Sequence, residues 1–386
     1  MDLKPFWDDL KPSDPEYATR LVERMLSAAV QRRASDIHLH PRADHWEILF
    51  RLDGVLCPLG SVPKSQLTDP VARLMVLANI PTYKSAQPME GRLAQAPDGV
   101  EMRLGTFPTM HGTRAVVRLF AATDQLITMD RLGLSATATE SLIELSEARE
   151  GAVLLTGPAG SGKTTTLYAC LRHIASMTPR RSVLTIEDPI ESVIDSISQS
   201  QLQPALGMTL ASSLRSAVRQ DPEVLLVSEI RDSETADAVL MSSLTGHLVF
   251  SSLHAGDVAV ALRRLVQMEL PPYLLRSGLR AICCQRLLRR LCGECHGHPS
   301  PDCPGCGGAG YRGRIAIAEL ARFDRGELGE TMLSQLAAGQ SASSIHLAAE
   351  EAGMATLRQQ AWQLVESDVS DEREVYRVLG RGALRP

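Results

Sequence analysis

One run of eight residues limits what this chain can be more than any other: Gly157-Pro158-Ala159-Gly160-Ser161-Gly162-Lys163-Thr164. It satisfies G-x-x-x-x-G-K-[ST], and its flanks are the ones that pattern needs. The strand-competent Val153-Leu154-Leu155-Thr156 precedes it, and the helix-competent stretch from Thr165 to Leu171 follows. Glycines at such a corner let backbone N–H groups converge on anionic oxygens with no Cβ in the way. The helix N-terminus beyond adds a dipole that favours negative charge. Residues 157–165, Thr165 included, are therefore the expected cradle of a nucleoside triphosphate. Lys163 would reach its β- and γ-phosphates, and the Thr164 hydroxyl would ligate Mg²⁺. A strand–loop–helix corner of this kind implies a parallel sheet. The rest of the chain agrees, with buried-strand runs at 152–156, 182–186, 224–227 and 248–250. Helical stretches near 164–176, 209–219, 233–244 and 257–267 alternate with them.

Upstream the texture differs. Ala18, Leu21, Val22, Met25, Leu26 and Ala29 recur at helical spacing within 17–33. Trp46, Ile48, Phe50 and Leu52 then alternate, Asp53-Gly54 supplies a turn, and Val55-Leu56 resumes. A second such unit has Asp98-Gly99 as its turn, followed by Val100, Met102 and Leu104. A third strand is expected from Arg114 to Phe120. Residues 1–120 thus read as an α+β domain with hairpins, 121–135 as a linker and 136–386 as the phosphate-binding domain. Within the last, 330–386 is expected to be helical. A chain of 386 residues has room for two to three domains, and 44% hydrophobic content fills a core. Net charge of −5 and 4% aromatic residues argue against a protein that coats or stacks on nucleic acid. No apolar stretch approaches the roughly 18 residues needed to span a bilayer. The start, Met1 to Asp9, does not read as a secretory signal, so a cytosolic protein is expected.

Two segments downstream of the phosphate loop end strands in carboxylates: Ile186-Glu187-Asp188-Pro189-Ile190-Glu191 and Val227-Ser228-Glu229-Ile230-Arg231-Asp232. Ligands of parallel sheets bind at the carboxyl ends of strands, so both clusters should emerge beside the loop. Hydrolysis needs one carboxylate for water and another for Mg²⁺, and Glu187 and Glu229 are the candidates. His247 and His254 flank the next strand, where they could sense a γ-phosphate.

Of the eight cysteines, Cys57, Cys170, Cys283 and Cys284 stand apart from any ligand spacing and read as small core residues. The other four form Cys292-x-x-Cys295 and Cys303-x-x-Cys306, two knuckles that together offer a tetrahedral Zn²⁺ site within a 288–314 module. Little else would order this Gly/Pro-rich stretch, so metal binding and local folding should coincide. Arg286, Arg289 and Arg290 are expected on the polar face of a helix leading to the knuckles.

In this order, the three segments after the loop resemble the type II/IV secretion ATPase superfamily, the GspE/PilB group of hexameric motors. Residues 186–191 resemble its Asp box, 229–236 its Walker B segment ending in glutamate, and 245–254 its His box. Ala34-Ser35-Asp36-Ile37-His38-Leu39, residues 50–56, and the Met102-Arg103-Leu104 run with Val117-Arg118-Leu119 resemble its N-terminal PAS-like domain. Residues 303–314 resemble the tetracysteine module of its assembly-type members. The resemblance implies a RecA-like α/β P-loop NTPase domain, a PAS-like α+β domain, a Cys₄ zinc module and C-terminal helices. It implies ATP, Mg²⁺ and structural Zn²⁺, with Glu187 polarising water and Glu229 organising Mg²⁺. Arg103 and Arg118 would reach the phosphates as arginine fingers across the domain interface, with Arg114 a weaker candidate. It also implies a homohexamer, peripheral at an inner membrane through a secretion or pilus platform protein, with no nucleic acid partner. Many relatives grip that platform through a further N-terminal domain, so docking here is expected to use another surface or subunit. Ser228 stands where the family usually has glycine, and Ala255-Gly256 where it commonly has Thr-Asn. A nucleic-acid translocase and an inactive nucleotide-binding scaffold remain alternative readings of the same fold.

Overall fold

A computed structural model describes residues 7–65, 69–84, 87–94, 97–120, 128–300 and 303–385. The chain divides into two compact units, Met1–Asp124 with Arg289–Arg314, and Gln125–Leu288 with Ile315–Pro386.

The first unit begins with α1 (Tyr17–Gln31), followed by the strands β1 (Asp36–Pro41), β2 (His45–Leu52) and β3 (Val55–Pro63). Then come α2 (Pro70–Leu77), β4 (Met89–Arg92), β5 (Glu101–Thr109) and β6 (Gly112–Phe120). The strands form one sheet in the order β3-β2-β1-β6-β5-β4, antiparallel throughout. Strand alternation sorts its two faces. Ile37, Leu39, Ile48, Phe50, Met102, Leu104 and Val117 point into a core shared with Leu21, Val22 and Met25 of α1 and Val71 and Leu74 of α2. The other parity carries charge. β1 was absent from the expected strands because Asp36, His38 and His40 mask its period. The segment Arg289–Arg314, expected to belong with the phosphate-binding domain, groups instead with this unit. There the Gly313 N–H donates to the Asp53 carboxylate at 2.8 Å, at the β2–β3 turn.

The second unit starts with α3 (Ala136–Glu147), β7 (Gly151–Thr156), α4 (Lys163–Ala175), β8 (Val183–Glu187) and β9 (Ser198–Gln201). It continues with α5 (Leu210–Ala217), β10 (Val224–Val227), α6 (Ser233–Leu244), β11 (Leu248–Leu253), α7 (Val258–Gln267) and α8 (Pro272–Gly278). Then follow β12 (Leu279–Leu291), β13 (Tyr311–Arg322) and the helices α9 (Glu327–Ala337), α10 (Ala342–Glu351), α11 (Leu357–Glu366) and α12 (Glu372–Leu379). The sheet order is β13-β12-β7-β11-β10-β8-β9, and β12, β7, β11, β10, β8 and β9 run parallel. Every residue of β7, β10 and β11 is buried, as strands covered on both faces must be.

One expectation needs correcting here. The stretch carrying Arg286, Arg289 and Arg290 is the strand β12, not a helix. Ala281, Ile282, Cys283 and Cys284 are buried on both of its faces beside β7, so the apolar run belongs to a sheet. The cysteine-rich insertion is followed by β13, and the C-terminal segment beyond it is helical, as expected. Of the expected linker 121–135, residues 121–127 lie outside the described residues; Ser135 caps α3 by accepting from the Ala138 N–H. Among the described residues no helix is long and apolar enough to cross a membrane.

Candidate active site

The phosphate loop leaves β7 at Thr156 and enters α4 at Lys163. Its glycines are required by contacts as well as by angles. Gly157 has φ +143° and Gly162 φ +89°, and a Cβ on Gly157 would stand 2.6 Å from the Gln285 carbonyl oxygen. A Cβ on Gly162 would stand 2.6 Å from the Gln285 side-chain nitrogen. Gln285, buried on β12, braces the loop: its amide donates to the Ser161 carbonyl at 2.9 Å and its oxygen accepts from the Thr166 hydroxyl at 2.8 Å. Nothing in the phosphate pattern itself points to Gln285; its one cue is a polar residue closing an apolar run. Pro158, Ala159 and Gly160 are exposed, Thr164 and Thr165 half-buried, and the Ser161 hydroxyl is buried without a partner. The Lys163 ammonium donates to the carbonyls of Gly157 (2.9 Å) and Pro158 (3.1 Å), loop atoms beside the expected phosphate position. Burial lowers its pKa; Glu229 opposes that most strongly, with a smaller contribution from Glu191.

Glu229 follows β10, adjacent to β11, and is mostly buried. One carboxylate oxygen meets His254 Nε2 at 3.0 Å and the other accepts from Arg231 Nε at 2.8 Å. His254 Nδ1 lies 3.1 Å from the Gly157 carbonyl oxygen. Gly157, His254 and Glu229 are thus one chain of contacts from loop to carboxylate. His247 does not join it. It precedes β11 while His254 follows that strand, so the two sit at opposite ends, and its Nδ1 lies 3.1 Å from the Ser242 carbonyl. The expectation that both histidines sense phosphate is corrected on that ground.

Glu187 ends β8 but turns inward, with 3% of its surface exposed. Its carboxylate accepts from the hydroxyls of Tyr168 and Thr185 (2.6 Å for the latter) and from Gln199 Nε2 at 3.0 Å. Glu191, four residues on, is exposed and belongs to the field around Lys163. Its one cue in the sequence is that it closes the same acidic segment as Glu187.

Arg103 and Arg118 lie in the first unit, directly paired across β5 and β6. Arg118 Nε meets Asp36 at 3.1 Å, and Arg103 meets Glu101 at 3.1 Å with its guanidinium 5.0 Å from the Phe120 ring centre. Asp36 also meets Arg51 at 3.3 Å.

The four candidate ligand cysteines converge, with all Sγ atoms within 4.8 Å of one another. The Cys292–Cys303 and Cys295–Cys306 sulfur separations are 3.9 and 3.6 Å. A tetrahedron with Zn–S bonds of about 2.3 Å has edges of about 3.8 Å, so the residues fit zinc. Cys57, Cys170, Cys283 and Cys284 are buried core residues.

The family model described as Type II/IV secretion system protein matches residues 12–377. This chain belongs to that family. The type II secretion system protein HxcR of Pseudomonas aeruginosa is 35% identical over 384 residues, covering 98% of this chain and 80% of the relative. The type IV pilus assembly ATPase PilB of Thermus thermophilus is 35% identical over 372 residues, 90% of this chain but 41% of that protein. Among solved structures, the pilus retraction motor PilT with bound ADP aligns with a TM-score of 0.57 at 26% identity, over 92% of this chain and 99% of PilT. The Legionella pneumophila ATPase DotB shares the fold with a TM-score of 0.70 at 22% identity, over 92% of this chain and 94% of DotB. This family membership carries the ATPase reading of the secretion protein's loop and carboxylates.

Proposed function

We propose that this secretion-family protein hydrolyses ATP as the motor of a type II secretion or type IV pilus assembly machine. The observation that carries the reading is the loop 157–164 with Lys163 at the head of α4 and Glu229 just beyond β10, two strands from β7, linked through His254. Backbone N–H groups of the loop hold the triphosphate, and Lys163 exchanges its two carbonyl partners for phosphate oxygens. The Thr164 hydroxyl and the Glu229 carboxylate are the residues that fit Mg²⁺, which would neutralise charge developing between the β- and γ-phosphates. Water attacks the γ-phosphorus, the bond to the β–γ bridging oxygen breaks, and ADP and phosphate leave. Glu191 takes the water-activating role in this proposal, because the Glu187 carboxylate is already committed to three donors.

Arg103 and Arg118 then supply permanent positive charge to a neighbouring copy's γ-phosphate, which makes a closed ring, a homohexamer, the working form. The four cysteines hold Zn²⁺ as a structural ion. A platform protein at the inner membrane is the partner such a motor drives. A nucleic-acid track finds no support in the β12 arginines. Arg286 donates to the Gln285 and Gly256 carbonyls, and Arg289 lies 3.8 Å over the Tyr311 ring.

Phosphate release from Mg·ATP by the zinc-loaded full chain tests the reading. Turnover should be abolished by Lys163→Ala and should rise more steeply than protein concentration. Wild-type protein that neither retains Mg·ATP nor releases phosphate at concentrations where it assembles overturns it.

A further inference from the structure

Glu187 stands where a strand delivers carboxylates to the active site, yet its side chain faces α4 and β9. Its oxygens accept from Tyr168, Thr185 and Gln199. A carboxylate that activates water needs a lone pair aimed at that water. Here three of the four lone pairs are taken, two on Oε1 and one on Oε2, and the side chain that carries the fourth is only 3% exposed.

Its partners have a second occupation in common. The Tyr168 hydroxyl has one proton, which goes to Glu187, and two lone pairs, which accept the N–H groups of Glu191 at 3.1 Å and Ser192 at 3.3 Å. Gln199 donates to Glu187 and to the Ser192 carbonyl at 3.0 Å, while its oxygen accepts from the Ile194 N–H at 2.7 Å. Residues 191, 192 and 194 are therefore all tied to two side chains that share one buried carboxylate. Arg172, one turn beyond Tyr168, adds a bond to the Ser192 hydroxyl at 3.4 Å. Tyr168 is five residues after Lys163 on α4, about 8 Å along the axis. The helix that carries the phosphate lysine therefore also holds the loop that carries Glu191.

We propose that Glu187 and Tyr168 are positioning residues, a clamp that fixes the Glu191 carboxylate relative to the P-loop helix, and that Glu187 does not itself activate water. The charge on Glu187 orients the Tyr168 proton. Without that acceptor the hydroxyl turns, and its proton competes with the Glu191 and Ser192 N–H groups for the oxygen's remaining directions. This inference rests on Glu191 being the water-activating group.

Three variants of the full chain separate the two ideas. Glu191→Gln should lower kcat by more than about 100-fold, the scale of a lost general base. Tyr168→Phe keeps the buried ring and removes the hydroxyl; it should lower kcat by roughly 10- to 100-fold while KM for Mg·ATP moves less than about 3-fold, since the P-loop is untouched. Glu187→Gln should cost no more than about 10-fold, because the amide still accepts from Thr185 or Tyr168. Hydrogen exchange at the 191 and 192 amides should quicken in Tyr168→Phe with melting temperature lowered by only a few degrees, a readout independent of turnover. In the Glu191→Gln background Tyr168→Phe should cost nothing further. If Glu191→Gln turns over normally, the base assignment falls. If Glu191→Gln is inactive but Tyr168→Phe retains wild-type kcat and unchanged exchange, the clamp alone falls. Loss in Glu187→Gln as deep as in Glu191→Gln also overturns the clamp and returns Glu187 to the chemistry.

Discussion

Gln285 illustrates how much of a phosphate loop is set by a residue outside it. Its amide fills the space a Cβ on Gly162 would take, and it satisfies the buried Ser161 carbonyl and Thr166 hydroxyl together. Gln285→Ala leaves both without partners, at about 1–3 kcal/mol for each group stranded in the interior. The expected outcome is a lower melting temperature and a raised KM for ATP, with Thr166→Val in the same background recovering part of the stability. Scanning calorimetry and steady-state kinetics check it. His38 gives a prediction of a different kind. It is buried on β1 with both ring nitrogens unpartnered, and burial, helped by Arg51, pushes its pKa down to about 4. The unfolded ring takes up a proton below its ordinary value near 6.5, whereas the folded ring waits until about 4. Stability is thus unaffected above that window and falls as pH drops through it, by roughly 3 kcal/mol at the lower end. His38→Leu should flatten the acid limb of a melting-temperature profile between pH 6.5 and 4. A limb as steep in the variant as in the wild type would assign acid sensitivity to other groups. At this scale the sequence was legible where chemistry fixes spacing, as in Lys163, Glu229 and the cysteines. It was silent on which of two glutamates turns inward, since that depends on Tyr168 and Gln199, residues 19 and 12 positions from Glu187 in the chain.

Whether an element could be read in advance depended on whether its neighbours left a period in it. β7, β10 and β11 are covered on both faces and show as unbroken apolar runs, and the helices that alternate with them lie within two residues of their expected bounds. Asp232 and Asp257 accept from the Thr235 and Val260 N–H groups and start α6 and α7. β9 (Ser-Gln-Ser-Gln) is an edge strand with no apolar side to show. β12 resembled a helix because arginines recur at 286, 289 and 290 after an apolar run, and only its pairing with β7 makes that run a strand. Beyond β12, the cysteine module is held by short turns, Cys292 N–H to the Gly310 carbonyl at 3.0 Å among them, rather than by a core of its own. Removing metal should therefore unfold this element selectively. Chelation, or Cys303→Ser, is expected to raise hydrogen exchange across 292–310 and lower the first melting transition, with the amides of β7 and β11 still protected. Zinc re-addition should reverse the effect of chelation. Uniform loss of protection along the whole chain would show that the ion supports more than its own module.

Across the whole molecule the net charge is −5, yet one row of the first unit's sheet runs the other way. Strand register places Arg51, Asp36, Arg118, Arg103 and Arg92 side by side on five adjacent strands. Four guanidinium groups share two carboxylates, Asp36 with Arg51 and Arg118, Glu101 with Arg103 and Arg92. The row keeps an excess of positive charge, and Arg118 and Arg103 are each more than half exposed. An anion of high charge density can displace such surface pairs, which in water contribute about 0–1 kcal/mol each. If the anion is the γ-phosphate held by a neighbouring copy, Lys163→Ala and Arg118→Ala damage different halves of one composite site. Each variant alone should be inactive. In a one-to-one mixture, about a quarter of the interfaces in a head-to-tail ring join an intact P-loop to an intact arginine. Mixing should therefore restore up to about a quarter of wild-type phosphate release at equal total protein. Arginines that serve their own subunit's nucleotide give no restoration at any ratio, because no polypeptide in the mixture carries both groups.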